Sequence, residues 1–347
     1  MTKRTDILFE VKGCAGIIIL NKPETLNAVT DDMLTALSLH LDKWEADDAI
    51  TRVIIKAVEG RAFSAGGDIR HLYDCGIKKE YDFDFFAREY SLNACIAKFP
   101  KPYIALVDGL VMGGGVGVSF HGSHRVAGEG IGFAMPEVGI GFFPDVGASY
   151  FLSRLSDNLG LYLGLTGIRV RQADALWSGL ATHACRSEDL PALEMALCQQ
   201  QDVDETLAQY SSSPEMGVHE KQQTKIKELF DGRSLAQVLK NLERSAKQDE
   251  WAAVTLKTIK RNSPTGLEVA FRQIKQGQSL DIDECMKMEY RILRRILVGT
   301  DFYEGIRAAI IDKDGMPKWT PASLVGIDPA DIDAHFADLG ENELQLS

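Results

Sequence analysis

Two glycine-rich stretches and one acidic stretch carry residue types that could do chemistry. Ser64-Ala-Gly-Gly-Asp68 and Met112-Gly-Gly-Gly-Val-Gly117 each follow an apolar segment and lead into a helical one. Glycine lets backbone N–H groups approach a ligand closely, and helix N-termini carry partial positive charge. Two N–H groups converging from two such loops would make an oxyanion hole. Tight turns and helix packing also call for glycine, so each loop alone fits either role. Downstream, Phe133-Ala-Met-Pro-Glu-Val-Gly-Ile-Gly-Phe-Phe-Pro-Asp-Val-Gly147 sets Glu137 and Asp145 in an apolar, Pro- and Gly-broken loop. Carboxylates in such surroundings tend to have raised pKa values and can act as acid, base or nucleophile. Helix capping or exposure to water is the bland alternative for both.

Other chemistries find less support. Neither G-x-G-x-x-G nor G-x-x-x-x-G-K-[ST] occurs, which argues against a nucleotide site. Ser119 lies in Gly117-Val-Ser-Phe-His121, where His121 replaces the second glycine of a nucleophile elbow, so a buried helix serine is the expectation. His121 and His124 are spaced as two metal ligands could be, but no third ligand is evident nearby, and no metal site is expected. The six cysteines are scattered without a C-x-x-C pair, the pattern of small buried hydrophobes in a reducing compartment. With 38 Lys plus Arg against 50 Asp plus Glu, the net charge of -12 repels polyphosphate backbones and argues against nucleic acid. The most apolar run, Tyr103 to Phe120, contains Asp108 and five glycines and is a poor membrane span. The N-terminus shows no long apolar stretch of a signal peptide. A cytoplasmic protein without membrane partners is expected.

The elements that must position these residues are legible too. Residues 7–20 read as two short strands joined by a Lys-Gly turn. Asn21-Lys-Pro-Glu-Thr-Leu-Asn-Ala28 is a loop. Thr30 caps a helix whose buried stripe is Met33, Leu34, Leu37, Leu41 and Trp44. Arg52–Val58 is a buried strand ahead of the first glycine loop, and a helix follows over about 80–98. Tyr103–Val107 is a strand ahead of the second glycine loop. A helix begins at Val116, and short strands follow at Arg125–Ala127 and Ile131–Ala134. Strands alternating with helices through residue 165 indicate a layered α/β domain. Amphipathic helices then take over, among them Leu239–Thr258 and Ile282–Leu297. Ser211-Ser-Ser-Pro214 is the candidate break, giving domains 1–210 and 211–347.

Taken together, these stretches resemble the crotonase (enoyl-CoA hydratase/isomerase) superfamily. The broad match rests on Asn21-Lys-Pro-Glu-Thr-Leu-Asn-Ala28, Ala62-Phe-Ser-Ala-Gly-Gly-Asp68, Lys101-Pro102 and Gly113-Gly-Gly115. A narrower match, to the members that hydrolyse short 3-hydroxyacyl-CoA thioesters, rests on Phe86-Ala-Arg-Glu-Tyr90, Phe133–Glu137, Gly141–Gly147 and Tyr150-Phe-Leu152. It continues through Ser263-Pro-Thr265, Met288-Glu-Tyr-Arg291, Asp301–Arg307, Ile311–Asp314 and Pro317-Lys-Trp319. The resemblance covers nearly the whole chain and is weakest over 190–250.

It implies a β/β/α spiral core with a helical C-terminal region, binding an acyl-CoA, with coenzyme A entering as part of the substrate and no cofactor. Homo-oligomers are compatible with it. Carried over by position, the N–H groups of Gly67 and Gly114 would form the oxyanion hole, Glu137 and Asp145 would be the active-site carboxylates, and Glu89 and Gly114 would contact substrate. Asp68 would cap the helix after it. The implied reaction is thioester hydrolysis, with 3-hydroxyisobutyryl-CoA from valine breakdown as first candidate. Enoyl-CoA hydration or isomerisation and a non-catalytic acyl-CoA-binding subunit are the alternatives. Superfamily hydratases carry a second glutamate where this chain has Gly117, which disfavours hydration. Gly147-Ala-Ser149 stands where relatives often have a glycine run, which bears on pocket dimensions.

Overall fold

The computed structural model describes residues 5–199 and 202–346. The chain divides into two compact units that interleave along the sequence. Unit 1 comprises Met1–Gly67, Arg88–Ala134 and Arg169–Lys221; unit 2 comprises Asp68–Ala87, Met135–Ile168 and Gln222–Ser347. Unit 1 thus ends at Lys221, beyond the expected break, and unit 2 takes two segments from the first 210 residues.

Among the described residues all the strands lie in unit 1. They are β1 (Ile7–Lys12), β2 (Ala15–Leu20), β3 (Arg52–Ala57), β4 (Ala62–Ser64), β5 (Tyr103–Val107), β6 (Leu110–Met112), β7 (His124–Ala127), β8 (Gly132–Ala134) and β9 (His183–Ala184). β1 and β2 form the expected hairpin, turning at Gly13 with φ +56°. The larger sheet runs β1-β2-β3-β5-β7-β9, parallel from β2 onward. Every residue of β2 and β5 is buried, the mark of parallel strands covered on both faces. Ile17, Ile54, Ile104 and Leu106 pack with Leu193 and Leu197 of the helix Leu190–Leu197. The helix Asp31–Glu45 has its N-cap at Thr30, whose side chain accepts from Met33 N–H, and buries the five predicted residues.

A second sheet, β4-β6-β8, is parallel throughout. Each glycine loop leaves the C-terminal end of one of its neighbouring strands, β4 or β6, so register alone brings the loops side by side. The helix after the second loop starts at Gly114 rather than Val116 and ends at Gly117, because successive glycines let it begin hard against the strand. A Cβ built at Gly115 would lie 2.5 Å from the Ser64 carbonyl oxygen and 2.6 Å from Ser64 Cβ.

Among the described residues unit 2 is helical. The expected helix over Leu239–Thr258 is two, Leu235–Ser245 and Glu250–Ile259. The break comes where Asp249 turns to accept from Trp251 N–H as a new N-cap. Ile282–Ile296 is one helix, opened by a capping box of Asp281 and Glu284. The division between units falls within the helix Phe83–Ala97.

Gly115→Ala should cost about 1–3 kcal/mol, because the added methyl meets backbone rather than a side chain that can swing away. Urea unfolding checks this, and a wild-type midpoint would show that the two loops do not abut.

Candidate active site

The residues singled out from the sequence gather into two clusters, one in each unit. In unit 1 the loop Asn21–Ala28 acts as a brace for the first glycine loop. Leu26 and Asn27 adopt left-handed backbone with φ 55° and 54°. Asn27 Nδ2 donates to the carbonyls of Ala62 and Phe63, and Ser64 Oγ donates to Asn27 O at 2.8 Å. Val29 N–H donates to Gly66 O at 2.8 Å, and Val29 bridges in parallel to Gly67. The same Val29 side chain lies 3.5 Å from a Cβ built at Gly114. Gly66, with φ +100°, has its Cβ position 3.7 Å from Gly114 N. Gly67 and Gly114 are therefore brought into one neighbourhood by strand register and a shared valine.

Glu89, buried at 3% exposure, lies on the helix Phe83–Ala97, and a Cβ at Gly114 would run into its Oε1. One turn further along, Asn93 is 0% exposed and meets a Cβ built at Gly117 at 2.7 Å. Asp68 caps the helix Ile69–Ile77 by accepting from His71 N–H, as expected.

In unit 2, Glu137 opens the turn Glu137–Ile140 and is buried, as is Asp145. Burial, with the Asp145 charge adding, holds the Glu137 carboxyl well above the ordinary carboxylate range; a backbone hydrogen bond pulls the other way. Glu137 Oε2 has no hydrogen-bond partner among the described residues. A buried carboxylate oxygen left without a partner is costly, and a reacting group is one explanation for such an exception.

The loop is held from the C-terminal helices. Ser263 N–H donates to Val138 O at 3.0 Å, and Gln273 Nε2 to Pro144 O at 2.6 Å. A Cβ at Gly141, φ +72°, would run into the Asp301 carbonyl, so no side chain fits there. Glu289, 0% exposed, accepts from Gly147 N–H at 2.6 Å, Ser149 N–H at 2.8 Å and Ser149 Oγ at 2.5 Å. Burial pushes Glu289 up to about 8 against the pull of those donors, with Asp145 adding to the rise. Sequence reasoning assigned Glu289 no role, although it lies in the Met288-Glu-Tyr-Arg291 stretch of the resemblance and at an acidic position of an amphipathic helix.

The remaining candidates take structural places. Ser119 is buried and donates to Gly115 O at 2.5 Å. His124 pairs with Asp204 at 3.0 Å, and among the described residues no cluster of His, Cys, Asp or Glu could hold a metal ion. The cysteines are free, with Cys14, Cys185 and Cys285 buried.

Residues 15–336 match the family described as "Enoyl-CoA hydratase/isomerase". The chain is 41% identical over 356 residues to the "3-hydroxyisobutyryl-CoA hydrolase, mitochondrial" of Rattus norvegicus, covering 99% of this chain and 92% of that one. A crystal structure titled as a carnitinyl-CoA dehydratase from Mycobacterium thermoresistibile matches with TM-score 0.93 at 35% identity, over 99% of both chains. One titled as an enoyl-CoA hydratase from Rhodobacter sphaeroides 2.4.1 matches with TM-score 0.91 at 38% identity, over 99% of this chain and 100% of that one. The crotonase-type fold expected from the resemblance is the fold observed.

The Glu137 shift has a consequence for stability. Its folded-state value lies above the unfolded one, so its contribution is full at low pH and is lost as pH rises through the folded value. Glu137→Gln has no proton to lose. Its stability relative to wild type should therefore grow as pH rises above the ordinary glutamate range, by up to about 1.4 kcal/mol per pH unit. Urea midpoints within and above that range measure this; a constant difference would mean the carboxylate is charged throughout.

Proposed function

The chain belongs to the enoyl-CoA hydratase/isomerase family, and from that premise we propose that it hydrolyses the thioester of a short 3-hydroxyacyl-CoA, 3-hydroxyisobutyryl-CoA foremost. The observation that carries the reading is Glu137: a buried carboxylate, raised by its surroundings, with one oxygen open for a reaction partner. Near-full-length relatives named 3-hydroxyisobutyryl-CoA hydrolase, at about 40% identity, support the same substrate. Valine breakdown is the corresponding place in metabolism.

In this reading the N–H groups of Gly67 and Gly114 take the thioester oxygen as it becomes an oxyanion. Preorganised donors of this kind are worth about 3–4 kcal/mol each. Glu137 attacks the carbonyl carbon; the C–S bond breaks, and coenzyme A leaves as thiolate and takes up a proton. Water then splits the mixed anhydride, releasing the 3-hydroxy acid and restoring the Glu137 carboxylate. In the alternative step Glu137 removes a proton from water, which attacks the same carbon directly. Asp145 orients the substrate hydroxyl or assists proton delivery to the thiolate, and Glu89 contacts the substrate beside Gly114. None of these steps calls for a cofactor. Hydration is the competing reading, since two similar solved structures bear dehydratase and hydratase titles. Gly117, lacking any carboxylate, weighs against it. For location, we propose the cytoplasm on the free cysteines alone; the rat relative's name says mitochondrial.

Thiol release from a panel of acyl-CoA thioesters should be fastest with 3-hydroxyisobutyryl-CoA. Loss of crotonyl-CoA absorbance without thiol release would sink the hydrolase reading. Glu137→Gln should lower kcat roughly 10²–10⁴-fold with little change in KM. Because the charged form is the active one, kcat/KM should climb with pH well above the range of an exposed glutamate, and Glu137→Gln should lose that limb. Wild-type turnover in this variant would exclude both versions of the step.

Gly114→Val places a branched side chain against the Glu89 carboxylate and should abolish activity in a folded protein, read by circular dichroism beside thiol release. Near-normal turnover would remove Gly114 from the site.

A further inference from the structure

We propose that Glu289 is a positioning residue for Asp145: its carboxylate fixes the backbone that follows Asp145 in one strained conformation and thereby aims the Asp145 side chain. The inference rests on the assignment of Asp145 to the reaction.

Asp145 is followed by Val146 at φ +51° and Gly147 at φ +83°. Positive φ is ordinary for glycine but a true outlier for a β-branched residue, whose Cβ crowds the carbonyl. Such a conformation is strained and persists only where the surroundings over-determine it. Here they do. Ala148 N–H returns to Asp145 O at 2.9 Å, closing a turn over the strained pair. On the far side of that turn both Glu289 oxygens are engaged, Oε2 by Gly147 N–H and Oε1 by Ser149 N–H and Ser149 Oγ. Upstream, Gln273 holds Pro144 O. The reactive carboxylate is thus clamped one residue before and two residues after itself.

The clamp is stiff because its base is stiff. Glu289 projects from the helix Ile282–Ile296, where Cys285, Met286, Met288, Tyr290, Ile292 and Leu293 are buried around it. A side chain with 0% exposure has no alternative rotamer in water. Only a group with two oxygens can take donors at both ends at once, as the three converging N–H and O–H groups require. Gln in its place would turn an NH₂ toward a backbone N–H. The cost would appear as misaim of Asp145, and misplacement of a reacting group by about 1 Å is worth on the order of 10²-fold in rate.

The test measures thiol release from 3-hydroxyisobutyryl-CoA by the full chain as wild type, Glu289→Gln, Asp145→Asn and the double variant. Glu289→Gln should lower kcat on the order of 10²-fold while leaving KM nearly unchanged. In the Asp145→Asn background the same change should cost almost nothing more, since there is no carboxylate left to aim. Should Glu289→Gln fail to fold by circular dichroism, Ser149→Ala, which removes one donor and leaves the two N–H bonds, should give the same pattern at smaller size. A folded Glu289→Gln with wild-type kcat, a loss confined to KM, or a loss undiminished in Asp145→Asn would each overturn the positioning role. Wild-type turnover by Asp145→Asn would instead overturn the assignment of Asp145 itself.

Discussion

A carboxylate taken out of water must either keep a proton or be surrounded by donors, and unit 2 is organised around that choice. Glu137, Asp145 and Glu289 are all buried, and the Asp145 charge raises both of the others. Glu289 gathers three donors, which offset part of its burial, and becomes a structural clamp. Glu137 has no hydrogen-bond partner at Oε2 among the described residues, and its burial favours the protonated form. The same penalty therefore separates the two glutamates into support and site. The loop from Glu137 to Ser149 is held by the C-terminal helices, through Ser263, Gln273 and Glu289, so a segment with no candidate catalytic residue of its own fixes the backbone of the proposed site.

Unit 1 solves a different problem, the close approach of backbone to backbone. β4 and β6 are parallel neighbours, so the chain leaves both at the same edge, and only glycine allows the two exits to lie in contact. The Asn21–Ala28 loop then takes up carbonyls of β4 through the Asn27 amide and accepts from the Ser64 hydroxyl in return. An oxyanion hole needs N–H groups that do not move when charge develops. Val29 pins one loop and Ser64 blocks the other, so in the proposed oxyanion hole rigidity would come from packing rather than from any residue that touches a ligand.

Much of this was legible in the sequence because it rests on local rules. The caps at Thr30 and Asp68, the stripe from Met33 to Trp44, and the glycine loops after apolar strands follow from chain-local chemistry, and the structure contains them. Glu137 and Asp145 stood out because charges inside an apolar, Pro-broken loop are unusual. What local rules could not give was the long-range partner. Glu289 sits 140 residues or more from the groups it binds, on a helix whose pattern alone reads as amphipathic. The break at Asp249 was missed for the complementary reason, since helical periodicity continued across a residue whose side chain prefers to cap.

The glycines of the helix Gly114–Gly117 also bear on which chemistry the fold can run. Gly114 gives its space to Glu89 and Gly117 gives its space to Asn93, so two side chains one turn apart on a single helix fill the room that two missing side chains leave. A carboxylate at position 117 would have to displace the Asn93 amide, whose nitrogen and oxygen are buried without hydrogen-bond partners among the described residues. Adding water across a double bond by a pair of glutamates would need that second carboxylate, and this helix contact has no room for it. A thioester asks for less: charge stabilisation at one oxygen and one buried carboxylate held ready to attack or to activate water. The packing of small residues against a polar helix face thus argues for hydrolysis on grounds independent of the relatives' names.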